Sequence, residues 1–447
     1  MVALARPEDP CADNSARVLE QKRRLRPVDD LQKMNLADWW SKAVFLFLWL
    51  SIFMLGVGRI ELPVPGLRFS AWSVSRTAFI FWLIWKFTSW IRQRSSLMDW
   101  ARRSLGTVPI FLMMVTISLL PSFRNAGDYR YFVFGVLHYV MVLDVFSTQK
   151  RTRELFLLLT LPAGILVLRG VLYDWSVLDL SEMVRFGYPL DHPNTAGYLF
   201  AMSIPLTIGV IATEGRWLVL LAAVSLSLQS LGLALTYSRG AWFGSASSIL
   251  FYGFMAKKYK QVLLVIILGS SASFVIPSIQ ERLLSLANPQ QDLAINDRIR
   301  FQADSFAIGL EHPLLGIGYG RGRLKEALRE NYKGTENEND PIWHAHNVYI
   351  DLFAGTGLLG LGAFLWLLWG CLYKLWRKIF QEQDPAMRMM SISILVALIA
   401  FIITGFGDVA FYHHETRIYL FTLIALAHLH IGRCGMRRPN EDTFTEG

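Results

Sequence analysis

The stretch HAHNVYIDLFAGTGLLGLGAFLWLLWGCLY, residues 344–373, begins with two histidines and an amide and then becomes apolar. From residue 347 onward, Asp351 is its one charged side chain. A helix needs roughly 20 apolar residues to cross a hydrocarbon core about 30 Å thick, and this run is long enough. It therefore predicts a membrane-spanning helix with titratable groups at its entrance.

Composition extends this prediction to the whole chain. The 447 residues are 53% hydrophobic, 13% aromatic and 18% charged, with a mean hydropathy of +0.35, which is too apolar for a soluble protein of this size. The short alternating segments of a membrane β-barrel are not seen, which favours helices. The sequence predicts an all-α, polytopic integral membrane protein with about twelve transmembrane helices, near 42–58, 72–91, 105–121, 129–147, 153–172, 194–212, 216–236, 240–256, 260–277, 347–373, 389–407 and 416–432.

Charge predicts the orientation. Short basic segments, such as those at 92–103, 150–153 and 257–260, follow every second apolar run, as cytoplasmic loops do. The net charge of +9 is thereby explained without a nucleic-acid partner, and the three separated cysteines indicate no disulfide framework. The predicted order is a cytoplasmic tail (1–41), helices one to nine (42–277), a large periplasmic loop (278–346), helices ten to twelve (347–432) and a second cytoplasmic tail (433–447).

The large loop predicts a small folded cap over the membrane domain. NDRIRFQADSFAIGL, residues 296–310, has apolar residues at helical spacing, with Asp297 as the predicted cap and Arg298 in the first turn. HPLLGIGYGRGR, residues 312–323, then ends this helix, and RLKEALRE, residues 323–330, predicts a second short one.

Arginines mark two stretches on the predicted outer side. Arg239 in YSRGAWFG lies at the turn between the seventh and eighth spans, where a cation is unusual because basic anchors prefer the inner side. Arg298 and Arg300 lie at the start of the loop helix. Ion pairs with Asp297 or Asp304 are the simpler explanation for these two charges.

The histidines leave two interpretations open. His344 and His346 point the same way if their segment is extended, which suits either proton transfer or metal binding. With His413 and His414 they could form a four-ligand zinc site, although the sequence places no carboxylate to orient such ligands. We expect no metal. DHPNTAGY, residues 191–198, is interpreted as a loop whose Asn194 caps the sixth span.

Taken in order, these stretches resemble the O-antigen ligase and O-antigen polymerase family of bacterial envelope membrane proteins. The family pattern of His-Asn, nine residues, Gly, two residues and Gly is met by His346, Asn347, Gly357 and Gly360. The segment from Arg298 to HPLLGIGYG looks like the family's arginine-containing helix and glycine turn. SRGAW and HPNTAGYL are similar to two further family stretches, so the resemblance spans roughly residues 185–365.

This resemblance implies transfer of a glycan from undecaprenyl diphosphate to a hydroxyl acceptor, such as lipid A-core or another glycan. The reaction would take place at the periplasmic face of the bacterial inner membrane, without a cofactor. Arg239 and Arg298 match the family's arginines, whose paired donors suit a diphosphate. His346 matches a base that accepts the hydroxyl proton, with Asn347 as a positioning amide. Secondary candidates for substrate binding are Arg300, Arg321 and His344.

Three alternatives remain. A polymerase of the same family would extend the lipid-linked glycan with the same residues. A bicarbonate-transporter-like protein would place ionisable groups inside its helices, where His138 and Asp144 are the main candidates. A lipid-glycan binder without activity would use the arginines and tolerate loss of His346.

Overall fold

A computed structural model describes residues 36–61, 68–93, 115, 126–179, 183–190, 192–260, 263, 277–287, 293–331, 344–409 and 412–432. Within these ranges the protein is almost wholly helical, which confirms the predicted all-α class. The helices are α1 (Leu36–Val57), α2 (Ala71–Gln93), α3 (Ala126–Val145), α4 (Gln149–Leu158), α5 (Pro162–Tyr173), α6 (Pro193–Thr213), α7 (Arg216–Leu235), α8 (Arg239–Met255), α9 (Pro277–Ala287), α10 (Leu293–Glu311), α11 (Arg321–Asn331), α12 (Val348–Gln381), α13 (Pro385–Thr404) and α14 (His414–Gly432). Two short antiparallel strands, β1 (Ile60–Glu61) and β2 (Arg68–Phe69), and a 3₁₀ turn at Trp175–Leu178 complete the described elements.

Several helices are long and apolar enough to cross a membrane, so the protein is a multi-pass membrane protein. Among the described residues there are six such segments: Trp39–Val57, Gln149–Tyr173, Pro193–Thr213, Arg216–Leu235, Val348–Gln381 and Pro385–Thr404. Four other helices, α2, α3, α8 and α14, coincide with further predicted runs. The total of twelve spans stays a prediction, since the run at 260–277 and most of 105–121 lie outside the described residues.

The run predicted at 153–172 is two helices rather than one. It breaks between α4 and α5, where Pro162 is the first residue of α5. Proline lacks the N–H that a continuous helix needs and restricts the residue before it, so a new helix starts there more easily than an old one continues. At this break α5 approaches α1 closely, because a Cβ on Gly56 would lie 2.4 Å from Cβ of Pro162.

The two helices predicted in the large loop are present as α10 and α11. However, α10 begins at Leu293, so the prediction that Asp297 caps it is wrong and Arg298 lies one turn further in. Apolar residues earlier than the predicted start extend the helix toward its N-terminus. The inner faces of α10 and α11 meet the start of α12 in a small separate core, formed by Phe301, Ile308, Leu324, Leu328, Ala345 and Ala354.

The predicted helix at 347–373 is longer than expected and broken. Gly357 has φ +65° and ψ −169° within α12, a conformation open mainly to glycine. The turn after α10 fills this break: the N–H of Leu358 donates to the carbonyl of Pro313 (2.8 Å), and the N–H of Ile317 to that of Ala354 (2.9 Å). A Cβ on Gly357 would lie 2.3 Å from the backbone of Leu314. The break therefore fixes α10, which carries Arg298, against the helix that follows the histidines.

Candidate active site

The histidines lie immediately before α12. Asn347 is the N-cap, and its side-chain oxygen accepts the backbone N–H groups of Tyr349 (2.9 Å) and Ile350 (3.2 Å). These are two of the donors that the start of a helix leaves unpaired. His346 has φ +49°, a left-handed conformation that is uncommon for residues other than glycine. Such a conformation persists only where the surroundings hold it, so the cap and its neighbours fix the position of His346.

Asp408, in the loop after α13, meets both histidines. Its Oδ1 lies 3.1 Å from Nε2 of His344 and 3.3 Å from Nδ1 of His346. Its Oδ2 accepts a hydrogen bond from the side-chain amide of Asn194, and its backbone carbonyl accepts one from the hydroxyl of Tyr198 (2.8 Å). The loop after α13, the start of α6 and the residues before α12 thus form one largely buried His–Asp–His cluster.

Two features of this cluster were not predicted from the sequence. Asp408 belongs to no recognised motif there, and an acid directly after an apolar run is too common a signal to identify it. The prediction that Asn194 caps the sixth span is wrong, because His192 is the N-cap of α6 and its Nδ1 accepts the N–H of Asn194 (3.2 Å). The Asn194 side chain instead links Asp408 to Arg185, whose guanidinium donates to Oδ1 of Asn194 (2.7 Å).

Burial and charge set the protonation states. Burial raises the pKa of Asp408, but the hydrogen bonds and charges of His344 and His346 outweigh it, so that pKa lies well below its usual range. Burial lowers the pKa of His346, and His344 and Arg298 lower it too. Although Asp408 raises it, the net result is below 6.5. The cluster therefore favours an ionised Asp408 beside a neutral His346 near neutral pH. A neutral imidazole keeps a lone pair that can accept a proton.

Four arginines form a positively charged group beside the cluster. Burial is the largest cause that lowers the pKa of Arg185, to about 10. The charges of Arg282, Arg298 and Arg239 lower it further, and Asp408 raises it. Because interactions between charges fall off with distance, these three arginines and Asp408 all lie near Arg185. Arg185 still carries its proton at neutral pH, so the site concentrates positive charge of the kind that binds anions.

Backbone carbonyls hold three of these arginines in place: Arg185 donates to Thr236 (2.9 Å), Arg282 to Tyr237 (3.3 Å) and Arg298 to Gly407 (3.2 Å). Arg239 is the first residue of α8, in the same turn as Thr236. The sequence made candidates of Arg239 and Arg298 but not of Arg185 and Arg282, although Arg185 lies just before the HPNTAGYL stretch.

The secondary candidates for substrate binding differ in their contacts. His344 belongs to the cluster. Arg300 is paired with Asp297 (3.3 Å) on the same helix and lies 5.0 Å over the ring of Phe301, so the simpler explanation fits it. Arg321 begins α11, and its side chain lies outside the described part of the protein.

The four-histidine zinc site is wrong. The ring of His413 stacks on that of His192, with centroids 5.8 Å apart, and the ring of His414 stacks on Trp72 at 4.8 Å. In the part of the chain that the structure describes, the group whose atoms could together bind a metal is His344, His346 and Asp408.

The intramembrane candidates have partners within the helix bundle. His138 on α3 contacts the hydroxyl groups of Ser75 (2.7 Å) and Thr422 (3.0 Å). Asp144 on the same helix pairs with Lys86 (2.6 Å) on α2. These groups link α2, α3 and α14, and they belong to neither the arginine group nor the histidine cluster.

An apolar groove opens beside the cluster. It has a volume of about 700 Å³ and lies between α12 and α13, with Tyr349, Trp366, Trp369 and Phe406 among its lining residues. Its lining is wholly apolar. Phe406 connects the groove to the site, because its carbonyl accepts the amide of Asn347 (3.5 Å) and its neighbour Gly407 accepts from Arg298.

Comparison with known proteins agrees with the resemblance seen in the sequence. Residues 222–365 match the family model described as O-antigen ligase. No curated protein matches the chain. The matched segment contains Arg239, Arg282, Arg298 and His346, whereas Arg185 and Asp408 of the same site lie on either side of it. The chain is thus a multi-pass membrane protein that is similar, over residues 222–365, to the family described as O-antigen ligase.

Proposed function

We propose that the protein is a glycosyltransferase that moves a glycan from undecaprenyl diphosphate to a hydroxyl acceptor at the periplasmic face of the inner membrane. The observation that carries this proposal is the 3.3 Å contact between Nδ1 of His346 and Oδ1 of Asp408, with two arginines beside it. Arg185 is linked to the same carboxylate through Asn194, and Arg298 donates to Gly407, the residue before Asp408. Such a site combines a proton acceptor with an anion-binding surface. Both are needed when a hydroxyl group displaces a diphosphate.

The arginines are proposed to bind the diphosphate of the donor. As the bond between the anomeric carbon and the diphosphate oxygen breaks, negative charge grows on the leaving group. Fixed guanidinium groups then stabilise the transition state more than the bound donor. Carbonyl contacts already hold Arg185, Arg282 and Arg298, so little reorganisation is required at the moment of reaction.

The groove between α12 and α13 suits the polyprenyl chain of this donor. An apolar groove lined by Trp366, Trp369 and Phe406 favours hydrocarbon, whereas the arginines favour the charged head. The backbone of residues 406–407 joins the two. Donor and membrane lipids would thus reach the site from the same side of the bundle.

His346 is proposed to act as the base. With a proton on Nδ1 facing Asp408, Nε2 carries the lone pair. It accepts the proton of the acceptor hydroxyl while the hydroxyl oxygen bonds to the anomeric carbon. The proton ends on His346 and the electron pair of the broken bond on the diphosphate. Asp408 holds the imidazole in this tautomer and stabilises its charged form, and the Asn347 cap sets where the ring lies.

The same residues serve a ligase or a polymerase, which differ in the acceptor. Deleting the gene in its host and analysing the lipid-linked glycans tests the proposal. Accumulation of full-length lipid-linked polymer supports a ligase that delivers it to lipid A-core or another acceptor. Accumulation of single repeat units supports a polymerase. Unchanged lipid-linked glycans would contradict the proposal.

A further inference from the structure

We infer that His344, His346 and Asp408 also bind a divalent transition-metal ion such as Zn²⁺, and that the bound ion blocks glycan transfer. The binding part stands on the geometry of the three side chains alone. The blocking part rests on the proposed function, because it assumes that His346 is the base.

The distances fit such an ion. Zinc binds imidazole nitrogen and carboxylate oxygen at about 2.0–2.2 Å, so ligand atoms of a tetrahedral site lie about 3.3 Å apart. Nε2 of His344 and Nδ1 of His346 lie 3.1 and 3.3 Å from Oδ1 of Asp408. Each of the three residues offers one ligand atom such that the three atoms lie within 4.8 Å of one another. A small rotation of one imidazole closes the third edge.

The surroundings prepare these atoms for a ligand. Nδ1 of His346 is buried, and its 3.3 Å contact with Oδ1 of Asp408 is poorly directed for a hydrogen bond, so a metal ion between the two atoms would replace a weak contact with two metal–ligand bonds. Asn194 holds the other carboxylate oxygen. Oδ1 accepts the backbone N–H of Val409 (2.8 Å), which fixes its position, and a carboxylate oxygen has a further lone pair for a metal ion. A residue such as Asn194, which is hydrogen-bonded to a metal ligand, fixes the orientation of that ligand's side chain.

The nearby arginines weaken the binding of any cation, and the types of ligand decide which cation can bind. Arg298 and Arg185 repel a cation, but their described contacts go to Gly407, Thr236 and Asn194 rather than to the ligand atoms. Imidazole ligands favour Zn²⁺, Co²⁺, Ni²⁺ and Cu²⁺, whereas Mg²⁺ and Ca²⁺ prefer oxygen. We therefore expect these transition metals to bind and Mg²⁺ not to.

A bound ion would block His346 as a base by changing which ring nitrogen carries the proton. Coordination at Nδ1 of His346 requires a lone pair there, so the ring proton moves to Nε2. Nε2 is then a donor and cannot accept the acceptor proton. The ion also withdraws Oδ1 of Asp408 from the imidazole. Transfer should therefore stop while donor binding at the arginines persists.

Titration of the purified, detergent-solubilised protein with Co²⁺ tests the binding directly. Its visible absorption should appear on binding and disappear when Zn²⁺, but not Mg²⁺, is added. His344→Ala and Asp408→Asn should each abolish the signal. The control His312→Ala, an exposed histidine at the end of α10, should keep it. Equal Co²⁺ binding by wild type and by both cluster variants, or no binding by wild type, would overturn the proposed site.

The activity arm separates the two parts of the inference. Zn²⁺ should inhibit transfer by the wild-type protein, and EDTA should restore it. If Co²⁺ binds at the cluster but Zn²⁺ leaves transfer unchanged, the blocking role is wrong. If the wild-type protein transfers no glycan under any condition, the proposed function fails, and the Co²⁺ spectrum alone decides the metal site.

Discussion

Nδ1 of His346 lies 3.3 Å from Oδ1 of Asp408, although one precedes α12 and the other follows α13. Both residues lie at one end of the bundle, where Asn347 caps α12 and Asn194 holds the other oxygen of the carboxylate. In the proposed reaction, this contact orients the imidazole of His346 to accept a proton.

Replacing Asp408 by asparagine tests the orientation. The amide keeps the volume but cannot stabilise the imidazolium, so kcat should fall by about 10²–10⁴-fold, with KM for the donor nearly unchanged. Because Asp408 raises the pKa of His346, the acid limb of the pH profile should also move to lower pH. Asp384→Asn, at the exposed N-cap of α13, is the control and should leave both unchanged. If Asp408→Asn lowered the yield of folded protein but left the pH profile of kcat unshifted, Asp408 would have a structural role only.

The arginines should tolerate no exchange with lysine. Arg298→Lys keeps the charge but loses the planar fork that engages two diphosphate oxygens, so it should be nearly as damaging to donor binding as Arg298→Ala. The same is expected at Arg239. The exposed Arg329 on α11 provides the control, since Arg329→Lys and Arg329→Ala should both bind donor normally. Donor binding measured with labelled lipid-linked glycan decides this, and full binding by Arg298→Lys would mean that charge alone suffices.

The pH dependence follows from the lowered pKa of His346. The base works only when neutral, so transfer requires a pH above the pKa of His346, which burial and positive neighbours hold below 6.5. We expect kcat at pH 6.5 to exceed half of its maximum and to reach half of its maximum only at lower pH. If kcat fell to half of its maximum at a pH above 6.5, the pKa of the base would not be lowered, which would contradict a buried His346 in that role.

Chelation should leave the activity intact. Arginines are proposed to do the work that a divalent ion does in many phosphate-handling enzymes, so transfer by the purified protein should be unchanged after treatment with EDTA. Loss of transfer on chelation and its recovery with added zinc would instead make the His344–His346–Asp408 cluster a catalytic metal site.

The sequence predicts the helices well because apolar length is a local property. The spans predicted at 194–212 and 216–236 match α6 and α7 to within one residue at each end. It misses interruptions within a span: a break precedes Pro162 inside the segment Gln149–Tyr173, and the turn after α10 enters α12 at Gly357. A glycine or proline alone does not say whether such a break occurs.

The site was half predictable for the same reason. His346, Arg239 and Arg298 lie in motifs of neighbouring residues, so a short pattern identifies them. Asp408 and Arg185 join the candidate site only through the packing of α13 against α6 and α12. No sequence spacing encodes that contact, and an acid or arginine near the end of a span is usually a surface charge.

The most direct test of the central claim separates donor binding from transfer in His346 variants of the purified protein. Asparagine tolerates the left-handed backbone of this position, so His346→Asn removes the base with little change of conformation, and His346→Ala gives a second measure. Both should bind the lipid-linked donor as wild type does and transfer glycan about 10²–10⁴-fold more slowly, with His344→Ala less affected. If both His346 variants transferred glycan at the wild-type rate while Arg298→Ala lost only donor binding, His346 would not be the base, and the protein would be a handler of lipid-linked glycans of another kind.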